Sequence, residues 1–279
     1  MKNCYKYILT DEFIEVFYKK LYRIKSLIDF SNVKAGGLGG YVESESNLSH
    51  EGDCWIYGNA KVYGNARVYN NAIVYDNANI HGDAEIYDNA SICNTVVIYD
   101  SARVFGNAIV YGNARVFGNG KVFGNARVNG DARVFGYGEV YDDVGICGNI
   151  DIYDNAKVYG HSKIYGYVTI YDNAEVYDNA EIHGNVSIFN NVKVTTKITN
   201  LANCCKWNVV MTDYHLIVGC KVKRYDEWID WLDNSTEEFS TPRDSDDFIL
   251  IENAIRFAVS QYKLLRKVIK LKNTYKFSL

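Results

Sequence analysis

Few residues in this chain are placed to do covalent chemistry. Five histidines could serve as general bases, the role an acyl transfer requires within reach of its substrate. His81 and His183 stand where the surrounding sequence repeats Tyr, His161 stands where it repeats Asn, and His50 and His215 lie outside the repeat. No CxxC pair or His–Cys cluster accompanies them, so neither a metal nor another cofactor is expected. If the protein is an enzyme, His161 is the best-placed base. A second set of residues suits binding instead. Arg115 and Phe117 recur as Arg133 and Phe135, and Arg103 and Phe105 recur at the same separation as Lys121 and Phe123. From Ser101 to Phe135 five bases stand against one acid, Asp131. Cations interleaved with rings suit an acidic protein surface or nucleic acid; a solvated basic band is the plainer reading.

The separation is three units of a repeat of six. Val or Ile occupies every sixth position from Ile56 to Val194, through 24 consecutive hexads without an insertion. Ala66–Asn71, for example, reads A-R-V-Y-N-N. A period of six is too short for a helical repeat and fits a strand of about four residues followed by a two-residue corner. Side chains alternate across a strand, so Ala66 and Val68 point inward while Arg67 and Tyr69 point outward. Gly, Asn and Asp at the corners tolerate the left-handed backbone that a sharp turn needs.

Three hexads close a triangular coil, giving eight coils from the 24 hexads and a rod about 38 Å long at about 4.8 Å per rung. The expected fold is mainly β: a left-handed parallel β-helix, with a right-handed triangular solenoid as the alternative. Outward rings then align in columns. One runs Tyr63, His81, Tyr99, Phe117, Phe135, Tyr153, Tyr171, Phe189, and another runs Tyr69, Tyr87, Phe105, Phe123, Tyr141, Tyr159, Tyr177. Such columns either stiffen the sheet faces by stacking or present a surface to a partner.

The repeat divides the chain into residues 1–55, a β-rich cap; 56–198, the hexads; and 199–279, a strand followed by helices. His215–Cys220 reads as a strand, Asp226–Asp233 as a short helix, and Ser245 as the N-cap of a helix ending near Lys272. Phe248, Ile251, Ile255, Ala258, Tyr262, Leu265 and Ile269 follow 3-4 spacing, a seam that packs either on the neighbouring strand and helix or on a second copy. On the second reading Phe248, Ile251, Ile255, Tyr262, Leu265 and Ile269 are the dimerisation residues. Tyr225–Glu252 carries ten acids and one base, and Asn253–Leu279 carries seven bases and no acid. The formal charge of −4 therefore hides two strong local fields.

At 279 residues and 48% hydrophobic, the chain can bury a large core. It shows no secretory signal or membrane-spanning run, and its seven cysteines lack paired spacing. A reducing cytoplasm is expected.

The segments D-F-S-N-V-K-A-G-G-L-G-G-Y-V (Asp29–Val42) and L-S-H-E-G-D-C-W-I-Y (Leu48–Tyr57) resemble the YdcK-type β-solenoid family. The resemblance spans roughly residues 1–198 and implies a left-handed β-helix. It also implies bacterial, phage and prophage relatives, some labelled acetyltransferases by hexapeptide analogy. Val218–Trp228 is similar to tails of phage-borne members. No agreed catalytic residues carry over. Hexapeptide acyltransferases commonly extrude a loop over their substrate, whereas no hexad is interrupted here. The expectation is a non-catalytic interaction protein, a homodimer through its C-terminal region. Its partner would be a host protein or protein–nucleic-acid complex, such as a nucleic-acid-dependent defence complex blocked in an anti-CRISPR-like manner. Neither a small-molecule substrate nor a membrane is expected. Acyl transfer is the alternative, and a structural polymer built by end-to-end stacking is the third reading.

Overall fold

The computed structural model describes residues 5–201, 204–235 and 241–276, with side chains through 267. It divides into two compact units, residues 1–191 and 192–279. The first contains a parallel β-solenoid; the chain as a whole makes about nine turns.

Each hexad makes a short rung, as in Arg67–Val68, Arg103–Val104 and Arg115–Val116. Rungs three hexads apart pair in parallel: Arg103 lies beside Lys121, and Val104 beside Val122. The backbone N–H of Tyr63 donates to Ile80, that of Arg67 to Ala84 and that of Phe117 to Val134. Corner residues join the same pattern, with Asn59 donating to Asp76 and Asn107 to Gly124. No Val or Ile of the inward stripe from Ile56 to Val194 is more than 2% exposed. Burying each contributes about 1.5–3 kcal/mol before the ordering cost.

Corner geometry follows residue type. Asn70, Asp76, Asp100 and Asp154 hold φ between 53° and 62°, values that Asn and Asp tolerate best after Gly. The carboxylates of corner Asp residues also brace the next coil. Asp100 Oδ2 accepts from the backbone N–H of Gly118 at 3.2 Å, and Asp172 Oδ2 from Asn190 at 2.9 Å. At one corner the chain straightens. Gly148, Gly166 and Gly184 open to φ of 131°, 95° and 94°, and eight-residue strands Gly145–Ile152, Lys163–Ile170 and Glu181–Ile188 run straight through. These strands fuse two faces into a single sheet.

The solenoid starts earlier than the hexads do. β1 (Tyr7–Val16) and β2 (Lys19–Ser26) form a hairpin, and β3 (Leu38–Val42) follows. Tyr41 and Val42 pair in parallel with Lys61 and Val62, and Leu48 bridges Val68. The boundary expected at 55/56 thus falls inside the first turn. That turn is two residues longer than the rest, which hides it from a strict period. Asn47 repairs the irregularity: buried, it donates to the carbonyls of Gly64 and Ala66 at 3.0 and 2.9 Å and accepts from the Ser44 N–H at 2.9 Å. Lys6, 2% exposed, donates its ammonium to the carbonyls of Gly52 and Cys54 at 3.1 and 3.0 Å. These bonds meet the requirement that a buried cation be paired with acceptors. The hairpin turns through Phe17 and Tyr18, both at positive φ, the handedness a two-residue turn requires to match strand twist.

The second unit packs strands 209–211, 215–218 and 221–224 against two helices, α1 (Tyr225–Asn234) and α2 (Asp246–Lys276). Ser245 caps α2, its hydroxyl accepting from the Phe248 N–H at 3.2 Å. Trp228 is fully buried and donates its indole N–H to the Leu216 carbonyl at 2.7 Å. Among the described residues no helix is long and apolar enough to cross a membrane.

Two glycines separate steric need from backbone convenience. A Cβ at Gly40 would lie 2.5 Å from both the Ala60 carbonyl oxygen and Ile56 Cγ2, whereas one at Gly145 meets nothing within 4 Å. Gly40→Ala is expected to destabilise the protein by about 1–3 kcal/mol and Gly145→Ala to leave it unchanged. Chemical denaturation of both variants checks the contrast.

Candidate interaction site

The two groups of four residues come together as their spacing implies. Arg115 and Arg133 are neighbours in register, with Phe117 stacked on Phe135 at 4.7 Å and 3°. On the next face Arg103 lies beside Lys121, and Phe105 stacks on Phe123 at 4.7 Å and 4°. The four Phe rings are half-buried members of longer ladders. Rings from Tyr63 to Phe189 follow one another at 4.7–5.3 Å, and those from Tyr69 to Tyr177 at 4.7–5.0 Å. Each such pair adds about 0.5–1.5 kcal/mol beyond its buried area. Truncating Phe135 removes its contacts with both Phe117 and Tyr153, so the ring cannot be deleted without cost to the fold.

The basic band is largely neutralised by acids one rung away. Glu85 lies between Arg67 and Arg103, paired with the latter at 3.4 Å. Glu139 lies between Lys121 and Lys157, at 2.8 and 3.8 Å. Asp151 takes two bonds from Arg133, whose guanidinium it holds in its charged form. Glu85, Glu139 and Asp151 all fall outside the segment from Ser101 to Phe135, which is why a linear count of charge overstates the band. Arg115 and Arg127, both exposed, make no ion pair among the described residues. Arg127, on the third face, was not among the residues expected from the sequence; tabulating charges coil by coil would have found it.

Residues 60–76 match the YdcK β-solenoid repeat family, and so do residues 66–82. Over residues 60–82 the repeat is of the YdcK type. No curated protein sequence matches the chain.

Within the solenoid His161 has a local role. A file of amides runs down one corner: Asn71 donates to Asn89, Asn89 to Asn107, Asn107 to Asn125, and Asn125 to Asp143, at 2.8–3.1 Å. His161 Nδ1 lies 3.3 Å from the other oxygen of Asp143 and extends that file. Among the described residues no group of three His, Cys, Asp or Glu could hold a metal ion.

The C-terminal seam lies elsewhere than on a free face. Phe248, Ile251 and Ile255 are buried among Trp228, Trp231, Leu216 and Val218 of their own unit, and Tyr262 stacks on Tyr225 at 3.8 Å. Those four side chains are consumed within one chain because α1 and the sheet lie against that side of α2. Leu265 is exposed; the Ile269 side chain lies outside the described residues. The same unit contains a groove of about 900 Å³ that the sequence did not suggest, lined by Tyr214, Tyr225, Tyr262, Arg224, Lys263 and Arg266 among others. Its lining comes from separate segments; within α2, Arg266 lies over the Tyr262 ring at 5.3 Å, an i, i+4 spacing readable in advance.

His81 stacks between Tyr63 and Tyr99 at 5.0 and 5.3 Å. Burial holds its pKa below the ordinary histidine value against the pull of Asp100. The unfolded chain therefore binds the proton more readily, and the stability contributed by neutral His81 is full above about pH 6.5 and is lost as the pH falls. His81→Phe, which keeps a ring in the column, is expected to lose less melting temperature than wild type between pH 7.5 and pH 5.5. Parallel melting curves would remove His81 from the account.

Proposed function

We propose that the protein is a non-catalytic solenoid that works by binding a macromolecule on the outward faces of its middle coils. The observation that carries this reading is the position of Arg115 and Arg127. Both guanidiniums are exposed on rigid rungs and make no ion pair among the described residues, while their neighbours Arg103, Lys121 and Arg133 are held by carboxylates. Arg115 also lies on the same face as the Phe117–Phe135 stack. A fixed cation beside apolar ring edges fits an acidic surface, either a phosphate backbone or a carboxylate-rich protein face. The eight residues Arg103, Phe105, Arg115, Phe117, Lys121, Phe123, Arg133 and Phe135 frame that surface, and Arg115 is its anchor.

The partner we propose is a host protein–nucleic-acid complex of the defence type, on the resemblance to phage-borne solenoids. The proposed setting is the bacterial cytoplasm, and the described cysteines, all free thiols, support it. Catalysis has less support, because His161 completes a corner file and stands exposed rather than in a cleft.

The test replaces the two cations and spares the rings. Arg115→Glu with Arg127→Glu is expected to weaken partner capture from bacterial lysate by about 30-fold or more, the scale of a buried Arg anchor, with the melting temperature unchanged. Lys61→Glu, three coils from Arg115 on the same face, is the neutral control, and a nuclease-treated lysate separates nucleic acid from protein. Capture at wild-type affinity by the double variant would overturn this reading.

A further inference from the structure

We propose that α2 pairs antiparallel with α2 of a second copy of this chain, through a seam next to the one already buried. The helix has two apolar stripes. One faces its own unit: Phe248, Ile251, Ile255, Ala258 and Val259 are at most 3% exposed. The other faces outward. Leu250, Phe257 and Leu264 are 48%, 52% and 56% exposed, and each is one heptad from the next. Ala254 and Gln261 fill the positions between them, so 250, 254, 257, 261 and 264 follow the 4-3 spacing of a coiled-coil seam. The sequence continues it with Val268 and Leu271. Three large apolar side chains in one exposed line exceed what a solvated helix face carries.

The occupant follows from shape and charge. Beside Leu250 and Phe257 lies a groove of about 290 Å³ whose walls include Leu201, Cys204 and Asn253, with Ala254 among its lining. Alanine leaves room there for a leucine knob. An antiparallel partner centred near residues 259–260 lays its own Leu264 over Ala254, and Phe257 meets the partner's Gln261. A polar residue at a seam position fixes register at some cost in stability.

The charges select the same direction. The start of the helix and the residue pair before it carry Asp244, Asp246, Asp247 and Glu252, while Lys263, Arg266 and Lys267 lie about three to four turns beyond Glu252, followed in sequence by Lys270, Lys272 and Lys276. Asp246, Lys263 and Lys267 make no ion pair among the described residues. Antiparallel pairing places acids against bases at both ends, whereas parallel pairing stacks like charges. The helix dipoles also oppose. Because each copy gives and receives the same contacts, the arrangement closes as a two-fold dimer.

The full-length protein tests this directly. Sedimentation is expected to give the mass of two chains at micromolar concentration. Phe257→Asp with Leu264→Asp, both on the exposed stripe, is expected to raise the dissociation constant about 30-fold or more while circular dichroism and melting stay as in wild type. Direction is read by crosslinking, with wild type as the background control. Ser260→Cys, near the two-fold axis, is expected to link to itself. Asn253→Cys is expected to link to Lys267→Cys of a second chain and not to itself, its own mate being about 20 Å away along the pair. A single-chain mass for wild type, an undiminished dimer in the double Asp variant, or self-linking by Asn253→Cys would each overturn the proposal. The crosslinks keep the test decisive if the double variant fails to fold.

Discussion

In the solenoid, the rung N–H groups that point along the stack find their acceptors on the next coil, as Tyr63 does at Ile80 and Phe117 at Val134. Buried amides and carbonyls cannot be left unpaired, so this connection fixes what every side chain meets. Outward residues lie over those one coil away, the corners stack on corners, and Val stacks on Val or Ile. A rung has no other long-range partner within its sheet. The fold is consequently a chain of nearest-neighbour contacts, stable only while consecutive coils agree.

Three outward patterns answer to that constraint. Ring ladders fill the positions after the core residue, ion pairs such as Lys121–Glu139 fill those before it, and amide files fill the corners. Each is the kind of contact that stabilises paired strands, repeated along the solenoid. Most of the surface is therefore spoken for by the fold. The proposed function therefore falls to residues left out of these patterns, such as Arg115 and Arg127 in the middle coils. In the second unit the same reasoning leads to Leu250, Phe257 and Leu264, which remain outside a core that has used the other side of the helix.

The period, the inward stripe and the corners were legible in the sequence because each hexad states them independently. The alignment of Phe117 with Phe135 followed from the same arithmetic. What escaped were relations needing two coordinates. Glu85, Glu139 and Asp151 neutralise bases one full coil away, and a window read along the chain does not contain them. The first turn escaped because two extra residues, with Asn47 bonded to Gly64 and Ala66, interrupt the count. For α2 the sequence showed a seam and left open what covers it. The packing of Trp228, Trp231 and Leu216 against Phe248, Ile251 and Ile255 settles that side, and the parallel seam at Leu250, Phe257 and Leu264 was masked by its more regular neighbour.

The central claim is that residues one coil apart are coupled and form structural ladders. A pair of double-mutant cycles tests it most directly. Phe105→Ala is combined with Phe123→Ala, one coil away on the same face, and separately with Phe117→Ala, two hexads away on a different face, and unfolding free energies are measured for all combinations. The account predicts a coupling of about 0.5–1.5 kcal/mol for the first pair. It predicts additivity within about 0.3–0.5 kcal/mol for the second. Additivity in the first cycle, or equal coupling in both, would contradict it.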